Sequence, residues 1–297
     1  MQNGCSRYFG SAEVHPMQAV ENLVILVTGA TDGLGKQVAR DLAARAATVL
    51  LHGRNREKGE AALREIRDAT GNRKLIYYNA DFSSLDAVRE LSDQIQAEQK
   101  RLDVLINNAG IGAGSRRAPR EKSKDGHELR FAVNYLSPFL LTHRLLPLLG
   151  RSAPARILNV ASVGQQPIDF DNVMLDSEYD GLRAYRQSKL ALVMFTFDLA
   201  EDLRESGIAV NSLHPASLMN TRMVLETDYF DGPMSTVEEG ANAVEYLATS
   251  PEVEGVTGEY FDGNHRAQAN PQAYDKEMRR WLRMLSRQLA QLNEADD

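Results

Sequence analysis

With 297 residues, 43% of them apolar and 25% charged, the chain is long enough for one large α/β domain or two smaller ones, and wholesale disorder is excluded. A formal net charge of −7, with no long Lys/Arg cluster, speaks against a nucleic-acid partner. The single cysteine, Cys5, excludes an internal disulfide and a Cys-based metal cage; no metal site is expected, and a reducing, cytoplasmic setting fits.

Residues 1–22 contain no basic start followed by an apolar run, and read as a flexible leader broken by Gly, Ser, Pro and Asn. No later stretch approaches the roughly 18 apolar residues of a membrane span, so a soluble protein without an integral membrane segment is expected. From residue 23 onward short apolar runs alternate with longer amphipathic ones. LVILVTG (23–29), TVLLHG (48–53), LIYYNAD (75–81), LDVLINNAG (102–110), RILNVAS (156–162), IAVNSLHP (208–215) and GEYFDG (258–263) read as strands of a sheet covered on both faces. Helical patterns fall between and after them, at 34–46, 55–69, 84–99, 125–149, 184–205, 236–249 and 273–292. Strand and helix in alternation imply right-handed crossovers: a single α/β domain over 23–297, a Rossmann-type doubly wound parallel sheet of about seven strands with helices on both faces. Ligands of such sheets lie beyond the carboxyl ends of the strands, so the residues there become the candidates.

The first strand runs into TGATDGLGK, where Gly29, Gly33 and Gly35 form G-x-x-x-G-x-G and Thr31, Asp32 and Leu34 fill the loop. Glycines allow close backbone approach to a pyrophosphate, and the following helix offers unpaired N–H groups. About 20 residues on, a dinucleotide fold usually places an acid for the ribose hydroxyls. Here the second strand ends LLHGRN: Gly53 stands where the acid would be, followed by Arg54 and Asn55. A guanidinium suits a 2′-phosphate, so NADP(H) is expected over NAD(H). The fourth strand ends in NNAG, with Asn108, Ala109 and Gly110, and Ser162 lies just past the fifth. In AYRQSKLAL, Tyr185 and Lys189 are four residues apart and share a helix face.

In this order the motifs resemble the short-chain dehydrogenase/reductase superfamily, from residue 23 to about 290: TGATDGLG, the pair Asp81 and Phe82, NNAG, Asn134 in FAVNYLSPF, Ser162, and Tyr185-x-x-x-Lys189. The resemblance implies hydride transfer between a nicotinamide and a small-molecule carbonyl or alcohol. It implies Tyr185 as general acid, Lys189 lowering its pKa and holding the nicotinamide ribose, Ser162 binding the carbonyl oxygen, and Asn134 supporting a relay water. A neighbouring cation can depress a phenol by about 1–3 units, toward working pH. Asp81 and Phe82 would border the adenine, while Asn108, Ala109 and Gly110 would line the cofactor groove. Ala216 replaces the glycine usual after the sixth strand, which puts that loop's backbone in question; Pro215, Leu218 and Thr221 remain candidate cofactor contacts. The long interval between Ser162 and Tyr185 looks like the retinol-dehydrogenase-like and protochlorophyllide-reductase-like branch. Segments 163–184 and 216–235 read as substrate loops. Their apolar residues Ile168, Phe170, Met174, Leu218, Met219, Met223, Val224 and Phe230 suggest a fairly apolar substrate. The alternative is a non-catalytic NADP(H)-sensing protein, which would need the phosphate loop but not Tyr185, Lys189 and Ser162. The resemblance leaves a homodimer or homotetramer open.

Overall fold

The computed structural model describes residues 17–292. Among these residues eight strands form one sheet: β1 (Val24–Val27), β2 (Thr48–Gly53), β3 (Leu75–Asn79), β4 (Val104–Asn107), β5 (Ala155–Val160), β6 (Ile208–His214), β7 (Tyr260–Asp262) and β8 (His265–Arg266). Their order is β3-β2-β1-β4-β5-β6-β7-β8, and every pairing is parallel except β7 with β8. The doubly wound parallel sheet is thus present, with one strand more than the expected seven, because His265 and Arg266 turn back on Asp262 and Phe261. The order reverses between β1 and β4, where Val27 pairs with Ile106. Residues that follow these two strands therefore meet at the switch point.

Among the described residues, nine α-helical segments lie between and after the strands: α1 (Gly33–Ala44), α2 (Arg56–Thr70), α3 (Leu85–Glu98), α4 (Leu129–Phe131), α5 (Ser137–Arg151), α6 (Gly181–Asp202), α7 (Arg222–Leu225), α8 (Val237–Thr249) and α9 (Lys276–Leu289). Alternation along the strands divides the core in two. Leu26 and Leu50 face the layer of α3, α5 and α6, whereas Ile25, Val27, Val49 and Leu51 face α1 and α8. Caps fix the helix starts: Asn55 accepts from Lys58 N, Ser84 from Ala87 N and Asp180 from Arg183 N, while Thr236 and Glu239 form a capping box. The expected leader gives way to packed structure by Val20, which is buried in the α1 and α8 layer. Residues 1–16, with Cys5, lie outside the described residues.

One expected helix is broken. The pattern at 125–149 is split into α4, a π-helical turn over Ala132–Leu136, and α5. Pro138 in the first turn of α5 has no N–H to continue the ladder, and the wider turn aims Asn134 into the protein.

The pairing of α2 with β3 leaves no room at Gly59. A Cβ there would run into the ring of Tyr77, whose hydroxyl is held by Gly53 O at 2.9 Å and Asn55 O at 3.0 Å. Gly59→Ala gains about 1 kcal/mol of helix propensity but overpacks at a cost of about 1–3 kcal/mol, so the clash outweighs the gain. A fall in Tm of roughly 2–6 °C by calorimetry is expected; a rise would show that the ring gives way freely.

Candidate active site

At the end of β1 the chain turns through Gly29, which has φ 66° and lies so close to Ala109 that a Cβ would sit 2.8 Å from its Cα. In the first turn of α1, a side chain at Gly35 would collide with Gly29 O and the Asn108 amide. Asn108 Nδ2 donates to Thr28 O at 2.8 Å and to Gly29 O at 3.3 Å, and Thr28 Oγ1 accepts from the backbone N–H groups of Asn108 and Ala109. The glycine loop and the NNAG turn, expected from sequence as separate contacts, are thus one interlocked unit. Asp32 caps α1 by accepting from Gly33 N at 2.8 Å. Thr31 fills the space in front of Gly53, so any side chain at 53 would strike it. An acid at that position would require Thr31 to turn aside.

Arg54, directly beyond, is exposed and has no ion-pair partner among the described residues. Asn55 has its side-chain oxygen engaged as the α2 cap, at 2.9 Å from Lys58 N. Burial pushes the Asp81 carboxyl up, but hydrogen bonds from Ser83 N (3.0 Å) and Ser83 Oγ (2.8 Å) and the ammonium of Lys124 (3.3 Å) outweigh it and leave it below the ordinary value. The ring of Phe82 is buried, stacked at 4.3 Å on His52, so it supports that residue from inside the protein. His52 itself escaped the sequence reading. Its Nδ1 accepts from Gly29 N at 3.4 Å and its Nε2 donates to Ala80 O at 3.1 Å; burial holds its pKa down to about 4, so the ring is neutral. A histidine in an otherwise apolar strand beside the glycine turn was the available signal.

At the other end of the groove, α6 carries the reacting pair. Tyr185 is half-buried and hydrogen-bonded to Ser162, whose Oγ also accepts from Gly164 N at 3.0 Å. The main-chain oxygen of Ser162 is held by Tyr260 Oη at 3.1 Å and Gln165 Nε2 at 2.8 Å. Lys189 is buried; its Nζ donates to Val160 O at 2.7 Å and lies 5.9 Å from the centre of the Tyr185 ring. Burial pushes this ammonium down to about 8. The expectation that Lys189 lowers the phenol is not met in the protein alone. Burial raises the Tyr185 hydroxyl, opposed by the bond from Ser162, and the ammonium is turned to a backbone carbonyl at a distance from the phenol. Asn134 is fully buried: its Oδ1 accepts from Ile111 N at 2.8 Å, and its Nδ2 donates to Ile111 O at 3.1 Å and Ser188 Oγ at 3.0 Å. It flanks Gly110 together with Lys189, a Cβ at 110 falling 3.2 Å from Asn134 Oδ1 and 3.6 Å from Lys189 Nζ.

After β6, Pro215 is buried and Thr221 reaches over the glycine loop, its Cγ2 standing 3.2 Å from where a Cβ of Gly33 would be. Ala216 does not take a positive φ; the left-handed residue of this loop is Leu218, at 44°. The doubt raised by the missing glycine is therefore resolved against position 216. The loop comes down on the far side of the cleft: Met223 lies against Gly112, Thr227 Oγ1 donates to Gly114 O at 2.8 Å, and Tyr229 Oη donates to Asp180 at 2.9 Å. The second loop is tied to the C-terminal segment, where the Gln272 side chain bonds Ile168 N at 2.6 Å and Ile168 O at 3.1 Å. Of the apolar loop residues, Ile168 is buried and Phe170 and Met174 pack on the core, while Met223 and Phe230 are exposed. Among the described residues no His/Cys/Asp/Glu group could hold a metal, and no helix is long and apolar enough to cross a membrane.

Residues 23–229 match the family model for short chain dehydrogenases. The chain belongs to the short-chain dehydrogenase family. It is 39% identical over 274 residues to human retinol dehydrogenase 13, covering 87% of this chain and 81% of that protein. Against human retinol dehydrogenase 11 it is 37% identical over 268 residues, covering 87% and 83%. Among solved structures, a short chain dehydrogenase of Escherichia coli complexed with NADPH shares 28% identity at a TM-score of 0.68, covering 84% of this chain and 99% of that one. The RhlG/NADP active-site complex of Pseudomonas aeruginosa shares 27% at 0.66, covering 83% and 97%. This dehydrogenase thus stands in the retinol-dehydrogenase-like branch, acts on CH–OH groups and uses an NAD(P) cofactor.

The residues fit such a cofactor: a groove whose glycines leave backbone bare at one end, and a buried ammonium with only a carbonyl for company at the other. That ammonium is costly while the groove is empty. Below pH 8 Lys189 is charged in both folded and unfolded chains and carries the full burial penalty; between about 8 and its ordinary 10.5 the folded form sheds its proton first and the penalty fades. Lys189→Met should therefore stabilise the cofactor-free protein at pH 7 by on the order of 3 kcal/mol in urea unfolding, with the advantage shrinking from pH 8 to 10.5. Equal stability at pH 7 would mean that the charge is compensated.

Proposed function

We propose that this dehydrogenase transfers a hydride between NADP(H) and the carbonyl or alcohol carbon of a fairly apolar substrate. The observation that carries the reading is the hydrogen bond between Tyr185 and Ser162 with the buried Lys189 alongside, at the end of a glycine-lined groove. When bound, the nicotinamide supplies or accepts the hydride. In reduction, Tyr185 delivers a proton to the substrate oxygen, and Ser162 donates a hydrogen bond to the same oxygen as charge builds on it. Lys189 keeps a positive charge 5.9 Å from the centre of the Tyr185 ring, which favours the phenolate left after proton transfer. Its present bond to Val160 O leaves two of its three N–H groups for the ribose hydroxyls. Asn134 is a positioning residue: with both ends of its amide committed, it holds the Ile111 backbone and Ser188.

Three things support the substrate and cofactor choice. Arg54 is an exposed guanidinium at the end of β2, beside a glycine in place of the acid that would favour a free ribose hydroxyl. The structural relatives above were solved with NADP or NADPH. The retinol dehydrogenases take their name from an apolar alcohol.

A panel of apolar aldehydes and ketones, followed by NADPH absorbance, tests the reading. Tyr185→Phe is expected to lower kcat by about 10²–10⁴ while NADPH binding by fluorescence stays within a few-fold. Unchanged turnover would remove Tyr185 from the proton-donor role. Removal of a charge-assisted contact costs about 1.5–3 kcal/mol, so Arg54→Ala should cut kcat/KM for NADPH by about 10- to 100-fold and leave that for NADH nearly unaltered. A parallel loss with both cofactors would assign the 2′-phosphate elsewhere.

A further inference from the structure

We propose that Arg186 sets substrate choice by pairing with a carboxylate carried near the carbonyl of the otherwise apolar substrate; this rests on the hydride-transfer reading of the same site. Arg186 follows Tyr185 directly in α6 and leaves the helix about 100° round from the phenol, toward the turn that follows β5. That turn holds its root close to the chemistry. A Cβ on Gly164 would lie 3.4 Å from Ser162 Oγ on one side and 3.8 and 4.0 Å from Arg186 Cγ and Nε on the other. Only a glycine therefore stands between the guanidinium stem and the hydroxyl that Tyr185 bonds.

The charge of Arg186 is unmatched. It is half-buried, and among the described residues its guanidinium has neither an ion-pair nor a hydrogen-bond partner. Other arginines that reach this loop are engaged: Arg183 pairs with Asp169 at 2.9 Å, Arg120 with Asp176 at 2.9 Å, and Arg130 donates to Tyr179 Oη at 2.6 Å. Asp180 caps α6 and accepts from Tyr229, while Asp171 and Glu178 of the same loop are exposed and make no pairing with Arg186 among the described residues. A half-buried arginine whose stem lies beside the reacting oxygen, and which no acid of its own loop pairs, suits a bidentate carboxylate supplied by the ligand. The apolar residues of the two loops would contact the body of the same molecule. An alcohol or carbonyl compound with no charge would leave Arg186 unpaired.

The test uses para-formylbenzoate and its methyl ester as matched aldehydes with NADPH. Wild-type kcat/KM should favour the carboxylate by about 10- to 100-fold, Arg186→Met should abolish that ratio, and Arg186→Lys should restore part of it. Equal wild-type values for the two aldehydes, or a ratio that survives in Arg186→Met, would overturn the inference and leave hydride transfer standing. If neither aldehyde is reduced, the reductase reading fails for this class of carbonyl. Calorimetric binding of benzoate to the NADP-loaded protein then decides the Arg186 question alone: a tenfold weaker affinity in Arg186→Met supports it, and equal affinity overturns it.

Discussion

The ammonium of Lys189 is the constraint around which this dehydrogenase is arranged. A cation sealed from solvent with one carbonyl partner is unstable as a structural element, since its own hydration is lost and no carboxylate replaces it. What keeps it there is the helix. The α6 face below Lys189 is buried over several turns, through Leu190, Val193, Met194 and Phe197, so the lysine cannot turn outward without dragging the core with it. Packing thus offsets an electrostatic cost and holds a charge next to the place where a phenolate must form.

The sheet explains why that charge meets a cofactor. Since β4 pairs with β1 and β5 in the same direction, the residues leaving their carboxyl ends arrive at one edge: Gly29 from β1, Asn108 to Gly110 from β4, Ser162 from β5. Contacts there are closer than side chains allow, as Gly29, Gly35 and Ala109 show. A neutral His52 then ties the glycine turn sideways to the end of β3 through Ala80 O. The groove is therefore set by backbone contacts before any ligand arrives, which reduces the ordering that binding must do.

The sequence made the fold and the reacting residues legible for a physical reason. Period-two and period-3.6 patterns report burial, and burial drives the sheet order; Tyr185, Lys189 and Ser162 then follow from where strands and helices end. What it concealed depends on the third dimension. The direction of the Tyr185 shift turns on how much water the fold removes and on where Lys189 points, and neither is written in a four-residue spacing. The π-helical turn at Asn134 looked like continuous helix because apolar residues such as Ala132, Leu136 and Leu140 keep helical spacing across it. Position 216 drew attention through a missing glycine, although the strained backbone lies two residues on, at Leu218. His52 was hidden in a run of apolar neighbours, with partners 23 and 28 residues away.

The two ends of the cleft are held by different kinds of force, and this separates what can vary from what cannot. On the cofactor side, close contact leaves no volume for an added methyl group, so change there means loss of the turn itself. On the substrate side, the lips meet through single polar contacts such as Tyr229 with Asp180 and Thr227 with Gly114, each contributing about 1 kcal/mol. Such contacts can be exchanged one at a time without disturbing Tyr185 or Lys189, because the lips bear on the core only through a few residues such as Ile168. A fixed hydride and proton machinery beside a loosely fastened mouth is the arrangement that lets one fold serve substrates of different shape and charge.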